Sequence, residues 1–241
     1  MLDVIGTILV GVAMAVILAG MVTTLPLRLA GRLALAGIVG AWIGLSAAVA
    51  GGGALSDPVT VLVMFATPLV AIVALVLAFP TVRLAFNSVP LPLLVGLNAI
   101  RLAGVLFVLL ADAGRLAGPF PYLAGWGDFT TGALAIPAAW LAASDIRFRN
   151  RLIVVWNSFG MLDLIVAVTL GLTSRNGSPL QLIHARVGTA AMQDLPWAFV
   201  PTVLVPFFLV VHAAIFVRLR ARSADSGGQR PISIGDLGRA H

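Results

Sequence analysis

The chain has no cysteine, which removes disulfides, thiolate metal sites and cysteine nucleophiles from consideration. It also has no lysine and no glutamate: every basic side chain is Arg and every acid is Asp. A retinal Schiff base is therefore excluded. Charge of either sign is scarce, at 10% of 241 residues, against 60% hydrophobic residues and a mean hydropathy of +1.08. A soluble domain carries about 25% charged residues, so this composition belongs to a polytopic membrane protein. The restricted charge alphabet fits a GC-rich genome and is no sign of function by itself. The net charge of +6 does not point to nucleic acid, because the arginines stand in loops beside apolar stretches, where they set topology. Walker, dinucleotide, His-Glu-x-x-His and Gly-x-Ser-x-Gly patterns are missing as well.

What the chain does have is apolar runs long enough to cross a bilayer, which takes about 20 residues. Seven qualify, at 4–26, 33–50, 58–79, 90–111, 128–144, 152–172 and 197–219, giving an all-α transmembrane bundle over 1–222 and a polar, disordered tail at 223–241. The first run starts Met1-Leu-Asp3 without a basic region and reads as a span, not as a cleavable signal. Alternating the loops puts Arg28, Arg32, Arg83, Arg147, Arg149, Arg151 and the tail arginines on one side, with Arg115, Arg175 and Arg186 on the other. That imbalance predicts an outward N-terminus, a cytoplasmic C-terminus and residence in a bacterial inner membrane. Pro80 to Pro90 reads as a short inner loop, and 112–127 and 173–196 as longer outer ones. Gly40 and Gly44, with Gly37 a turn away, make a GxxxG surface for close approach of a neighbouring backbone. Pro68, Pro137, Pro201 and Pro206 each take an amide donor out of a span.

Ionisable groups at membrane depth cost about 2.5–3.5 kcal/mol each on insertion scales and usually face the bundle interior. Asn98 and Arg101 are three apart in the fourth run. In the sixth, Asn157, Gly160 and Asp163 advance by about 60° each around an α-helix and share a sector with Trp156. Arg101 lies eleven residues past Pro90 and Asp163 eleven past Leu152, which places both about 16 Å deep. An Arg101–Asp163 ion pair near the midplane is the expectation, either as a clamp between helices or as part of a site. His212 and Asn157 have similar depths and share an inner polar layer. His212 has no second histidine at its height, since His184 lies in a loop, which disfavours a b-type haem, and neither a cofactor nor a metal site is expected. Asp128 reads as the N-cap of the fifth helix; its functional alternative is an outer vestibule with Trp126, Gln193 and Asp194. Tyr122, Trp126 and Trp197 suit the interfacial aromatic belt.

The ordered set Asn98-x-x-Arg101, Leu-Ala-Gly-Trp-Gly-Asp128, Trp156-Asn-x-x-Gly-x-x-Asp163, Leu195-Pro-Trp, Pro201-Thr-x-x-Val-Pro206 and His212 resembles a group of uncharacterised bacterial seven-helix membrane proteins over 92–219. The resemblance implies no activity. From depth and chemistry, Asn98, Arg101, Asn157, Asp163 and His212 form the candidate site for a small solute or a lipid. The alternative is a structural or accessory protein whose Arg101–Asp163 pair fixes helix register and whose outer loops dock a membrane partner or a second copy. Catalysis by Asp163 or His212 as acid or base has the least support. A three-one-three transporter repeat suits the topology, yet 1–79 and 128–219 share only a proline in each third helix.

Overall fold

The computed structural model describes the backbone of residues 1–228 and side chains to Ala221. Among these residues there are helices and no strand: α1 Leu2–Thr24, α2 Leu29–Gly51, α3 Pro58–Ala78, α4 Pro80–Ser88, α5 Leu91–Asp112, α6 Phe120–Ala143, α7 Arg149–Thr173 and α8 Val205–Gly228. α8 thus extends into the stretch expected to be tail, whose remainder, 229–241, lies outside the described residues.

Among the described residues six helices are long and apolar enough to cross a membrane: α1, α2, α3, α5, α7 and Val200–Ala221. α6 has the length, at 24 residues, but Gly125, Gly127, Asp128, Thr130, Thr131 and Gly132 dilute its apolar content. Its place explains this. α6 packs against α5 on one side and α7 on the other, and a helix facing protein can carry small and polar residues that lipid contact would penalise. The main core clusters join α5, α6, α7 and α8 through Leu91, Val95, Ala135, Ile153 and Ile215. α2 and α3 pack around this group more loosely, with only 11% and 6% of their apolar windows buried, against 28% for α1 and α7, 44% for α5 and 50% for the last helix.

Several expectations are corrected. The fifth helix starts at Phe120, not at 128: Pro121 falls in its first turn, where a fixed φ helps and a missing amide costs nothing. Asp128 is consequently two turns inside α6 and caps nothing. Pro80 opens α4 in the same way, so Pro80 to Pro90 holds a helix where a loop is expected. Trp197 is buried, not interfacial, and its indole donates to the Asp3 carboxylate at 2.7 Å. No neighbouring atom lies within 4 Å of where a Cβ would stand on Gly37, Gly40 or Gly44, so the α2 glycines mediate no close approach within the chain.

The ends of the bundle are strapped by side chains. Asp3 also accepts from Arg115 at 2.6 Å, and Arg175 donates to the Leu55 and Ser56 carbonyls. These bonds gather the start of α1, the α2–α3 and α5–α6 connections and the long 174–199 segment at one end. At the other end Arg218 donates to the Asn87 carbonyl in the last turn of α4.

Candidate functional site

The site grows from an irregularity in α5. Residues Leu97–Gly104 form a 3-10 helix between two α-helical pieces. At three residues per turn, Asn98, Arg101 and Gly104 fall in one line, and all three are buried. Glycines then let α6 press against this line. A Cβ on Gly132 would stand 2.5 Å from the Leu102 amide nitrogen and 2.9 Å from the Arg101 carbonyl carbon, and one on Gly104 would overlap the Asp128 side chain. On the α7 side, a Cβ on Gly160 would stand 2.6 Å from His212 Cε1 and 2.7 Å from Thr131 Cγ2.

Into this packed centre Arg101 projects its guanidinium, 3% exposed as a residue. Nε donates to Asp128 Oδ1 at 2.6 Å, and Nη2 donates to Asp163 Oδ2 at 2.5 Å. Nη1 donates to the Gly160 carbonyl at 3.0 Å and reaches His212 Nε2 at 2.8 Å. The Phe208 ring lies 5.9 Å away over the same cation. Arg101 of α5 is therefore bonded to α6, α7 and α8 at once.

The hydrogen bonds fix the histidine's form. A guanidinium only donates, so His212 Nε2 must accept, and the ring proton is on Nδ1. From there it reaches Asn157 Oδ1 at 2.7 Å, and Asn157 Nδ2 returns to the His212 carbonyl at 3.0 Å. The imidazole is neutral in this arrangement. Trp156 packs at 5.8 Å from it and donates to the Thr131 carbonyl at 3.2 Å.

Of the residues singled out in the sequence, Arg101, Asp163, Asn157 and His212 come together, and the Arg101–Asp163 pair forms. Asn98 is fully buried but turns back on its own helix, donating to the Leu94 and Val95 carbonyls, while its Oδ1 has no partner among the described residues. The vestibule grouping splits. Asp128 and Gln193 line one cleft, whereas Trp126 is half exposed against Phe129, and Asp194 is exposed outside that lining. Asp128 as the second partner of Arg101 is the feature that sequence reading misses. Its signal is Pro121: starting the helix there puts Asp128 about 12 Å along it, near the depth of Arg101.

Two apolar cavities converge on Asp128. A cleft of about 80 Å³ runs between α3, α7 and the turn before α8, with Arg175, Thr189 and Gln193 at one end, Phe65 and Leu164 on its walls, and Asp128 in its lining. A second, of about 60 Å³, lies towards α1 and reaches Asp128, Arg101 and Gly104. Asp128 Oδ1 is taken by Arg101; Oδ2 has no hydrogen bond among the described residues. Among those residues no three acids or histidines gather as a metal site requires, and Arg101 itself fills the space between Asp128, Asp163 and His212.

Residues 58–220 match the model of a family described as a domain of unknown function, DUF8737. The match covers well over half of the 241 residues, and the chain belongs to that family. It takes in the whole Arg101 centre and leaves α1 and α2 outside. No curated protein and no solved structure matches the chain.

Proposed function

We propose that this is a seven-span membrane protein that binds a small amphipathic solute or a lipid in the cleft beside Asp128, with the Arg101 centre as its frame. α6 is taken as the seventh span, because helices of membrane length precede and follow it in the bundle. The arginine asymmetry supports an outward N-terminus and puts Arg175, Thr189 and Gln193 at the outer end of the cleft. One observation carries the binding reading: two apolar cavities meet at a carboxylate that has one oxygen without a donor. That oxygen opens onto the cleft, the Asp128 side chain being 14% exposed, and an apolar lining with few polar groups is the general character of small-molecule sites. The site differs from one centred on Arg101 and Asp163. Arg101 is engaged by four groups of its own chain, so the ligand's polar end meets Asp128 instead. The volume admits an alkyl-sized body and not a bulky one.

The test is ligand-induced stabilisation of the purified chain in nanodiscs by decanol, decylammonium and decanoate. At least one should raise the melting temperature, and Ala167→Trp, which fills the cleft wall, should abolish the rise. No shift with any of the three would overturn the reading. A second reading, a helix clamp without a ligand, is favoured by the four bonds that Arg101 makes to three other helices. It predicts no ligand response, and instead a stoichiometric partner that co-purifies with the chain.

A further inference from the structure

The centre's charges do not balance. Arg101 contributes one positive charge, and His212 is neutral because its Nε2 accepts from Arg101. Asp128 and Asp163 would contribute two negative charges if both were ionised. An uncompensated charge in a low-dielectric interior is costly enough that such groups normally take up a partner or a proton. Among the described residues no further cation is at hand. The helices around the centre bring Arg101 from α5, Asp128 from α6, Asp163 from α7 and His212 from α8. α1 and α3 line the cavities with apolar residues only, and Arg175 sits at the far end of the cleft, engaged with the Leu55 and Ser56 carbonyls. Each aspartate gives one oxygen to Arg101 and leaves the other without a donor among the described residues. Both side chains are largely buried, at 14% exposed for Asp128 and 7% for Asp163. Thr131 Oγ1, fully buried beside Gly160 and His212, is likewise without a partner.

The geometry points to a proton-binding site shared by Asp128 and Asp163, open to the cleft through Asp128, at which a cationic amphiphile takes the proton's place. This rests on the cleft being the ligand site. In the exchange, the carboxylic acid O–H of Asp128 breaks, the proton leaves to solvent, and the resulting carboxylate accepts from the ligand's ammonium. Charge at the centre is the same before and after. The ligand class is therefore narrowed to small alkylammonium compounds, with decanol and decanoate as weaker or silent probes.

Infrared spectroscopy of the full chain in nanodiscs tests the proton, and decylammonium binding in weakly buffered solution with a pH indicator tests the exchange. A protonated carboxyl band is expected at neutral pH, lost in Asp128→Asn or in Asp163→Asn. Asp128→Glu and Asp163→Glu, which keep the charge, should shift the band and serve if an asparagine variant fails to fold. Decylammonium should abolish the band in the wild-type chain, release one proton per bound molecule, and bind about tenfold more weakly for each pH unit lowered. No protonated band between about pH 5 and about pH 9 overturns the proposal, as does a band that survives unchanged in all four variants. Loss of the band on adding sodium chloride at fixed pH would also overturn it in favour of a metal cation. Binding of decanol or decanoate without proton release overturns the exchange while leaving the cleft reading intact; no binding by any of the three compounds overturns the cleft reading and the exchange together, and the proton site is then judged from the band alone.

Discussion

Trp42 Nε1 on α2 donates to the Thr202 carbonyl at 2.9 Å. Pro206, four residues on, has no amide to offer that carbonyl, and the chain around it is a π-helical turn, Val200–Leu204. The indole repairs a defect that the proline creates, and it attaches loosely packed α2 to the helix bearing His212.

Trp42→Phe keeps most of the ring and removes the donor. A buried acceptor left alone costs about 1–3 kcal/mol, and a loss of this size is expected in thermal unfolding. In a Pro206→Ala background the same change should cost clearly less, because the amide is restored. Equal losses in both backgrounds would show that the indole acts only by packing.

Arg101→Met strands two carboxylates, an imidazole nitrogen and a carbonyl in the interior. Removing one member of a buried ion pair costs about 3–5 kcal/mol, so the variant should be strongly destabilised. Adding Asp128→Asn and Asp163→Asn should recover more than half of that loss. Unfolding midpoints in a single detergent measure both, and no recovery would mean that Arg101 acts through shape and not charge.

Gly160→Ala places a methyl group against His212 and Thr131. Overpacking of this kind costs about 1–3 kcal/mol, whereas Gly37→Ala or Gly40→Ala, where an added Cβ meets no described atom within 4 Å, should not lower the melting temperature, since alanine is the better helix former. A loss at Gly40 only in concentrated samples would instead reveal contact between copies.

Asp57 caps α3: it accepts from the Thr60 hydroxyl at 2.8 Å and from the Thr60 and Val59 amides at 2.9 and 3.3 Å. These bonds, the Thr60 hydroxyl first, hold its carboxyl below the ordinary carboxylate range. A depressed folded value means that the cap's charge stabilises above the unfolded pKa of about 3.8 and that this contribution is lost as pH falls through the folded value. The stability difference between wild type and Asp57→Asn should therefore shrink on acidification. A difference that grows instead would reverse the sign.

His212 should carry its proton on Nδ1. Nitrogen-15 spectra of the imidazole distinguish the two neutral tautomers, and the Nε2-protonated form would contradict the contact with Arg101, whose nitrogens can only donate.

Much of this was legible in the chain because lipid enforces strong rules. A carboxylate and a guanidinium at equal depth have few alternatives to each other, and Trp156, Asn157, Gly160 and Asp163 share a buried face because α7 is a regular helix. Asp128 was hidden by local chemistry: Pro-Phe-Pro-Tyr reads as a loop until the second proline, Pro121, is seen to sit in a helix's first turn. Among the described residues six helices are apolar enough to cross a membrane, and α6 falls short because its buried side carries Gly125, Thr131 and Gly132, while Tyr122, Leu123, Ile136 and Trp140 stay exposed on the other. Asn98 lies in line with Arg101, but its amide donates to carbonyls of its own helix, a choice that spacing does not reveal.

The 3-10 stretch of α5 has one last consequence. Each of its eight residues turns the chain about 120° instead of about 100° and advances it about 2.0 Å instead of about 1.5 Å. Across Leu97–Gly104 this adds up to about 160° of extra rotation and about 4 Å of extra length relative to a uniform α-helix. The two α-helical halves of α5 are thus nearly half a turn out of phase, and rewinding the middle to α geometry would be a screw motion that swings Phe107 and Leu110 around the axis while drawing Arg101 along it.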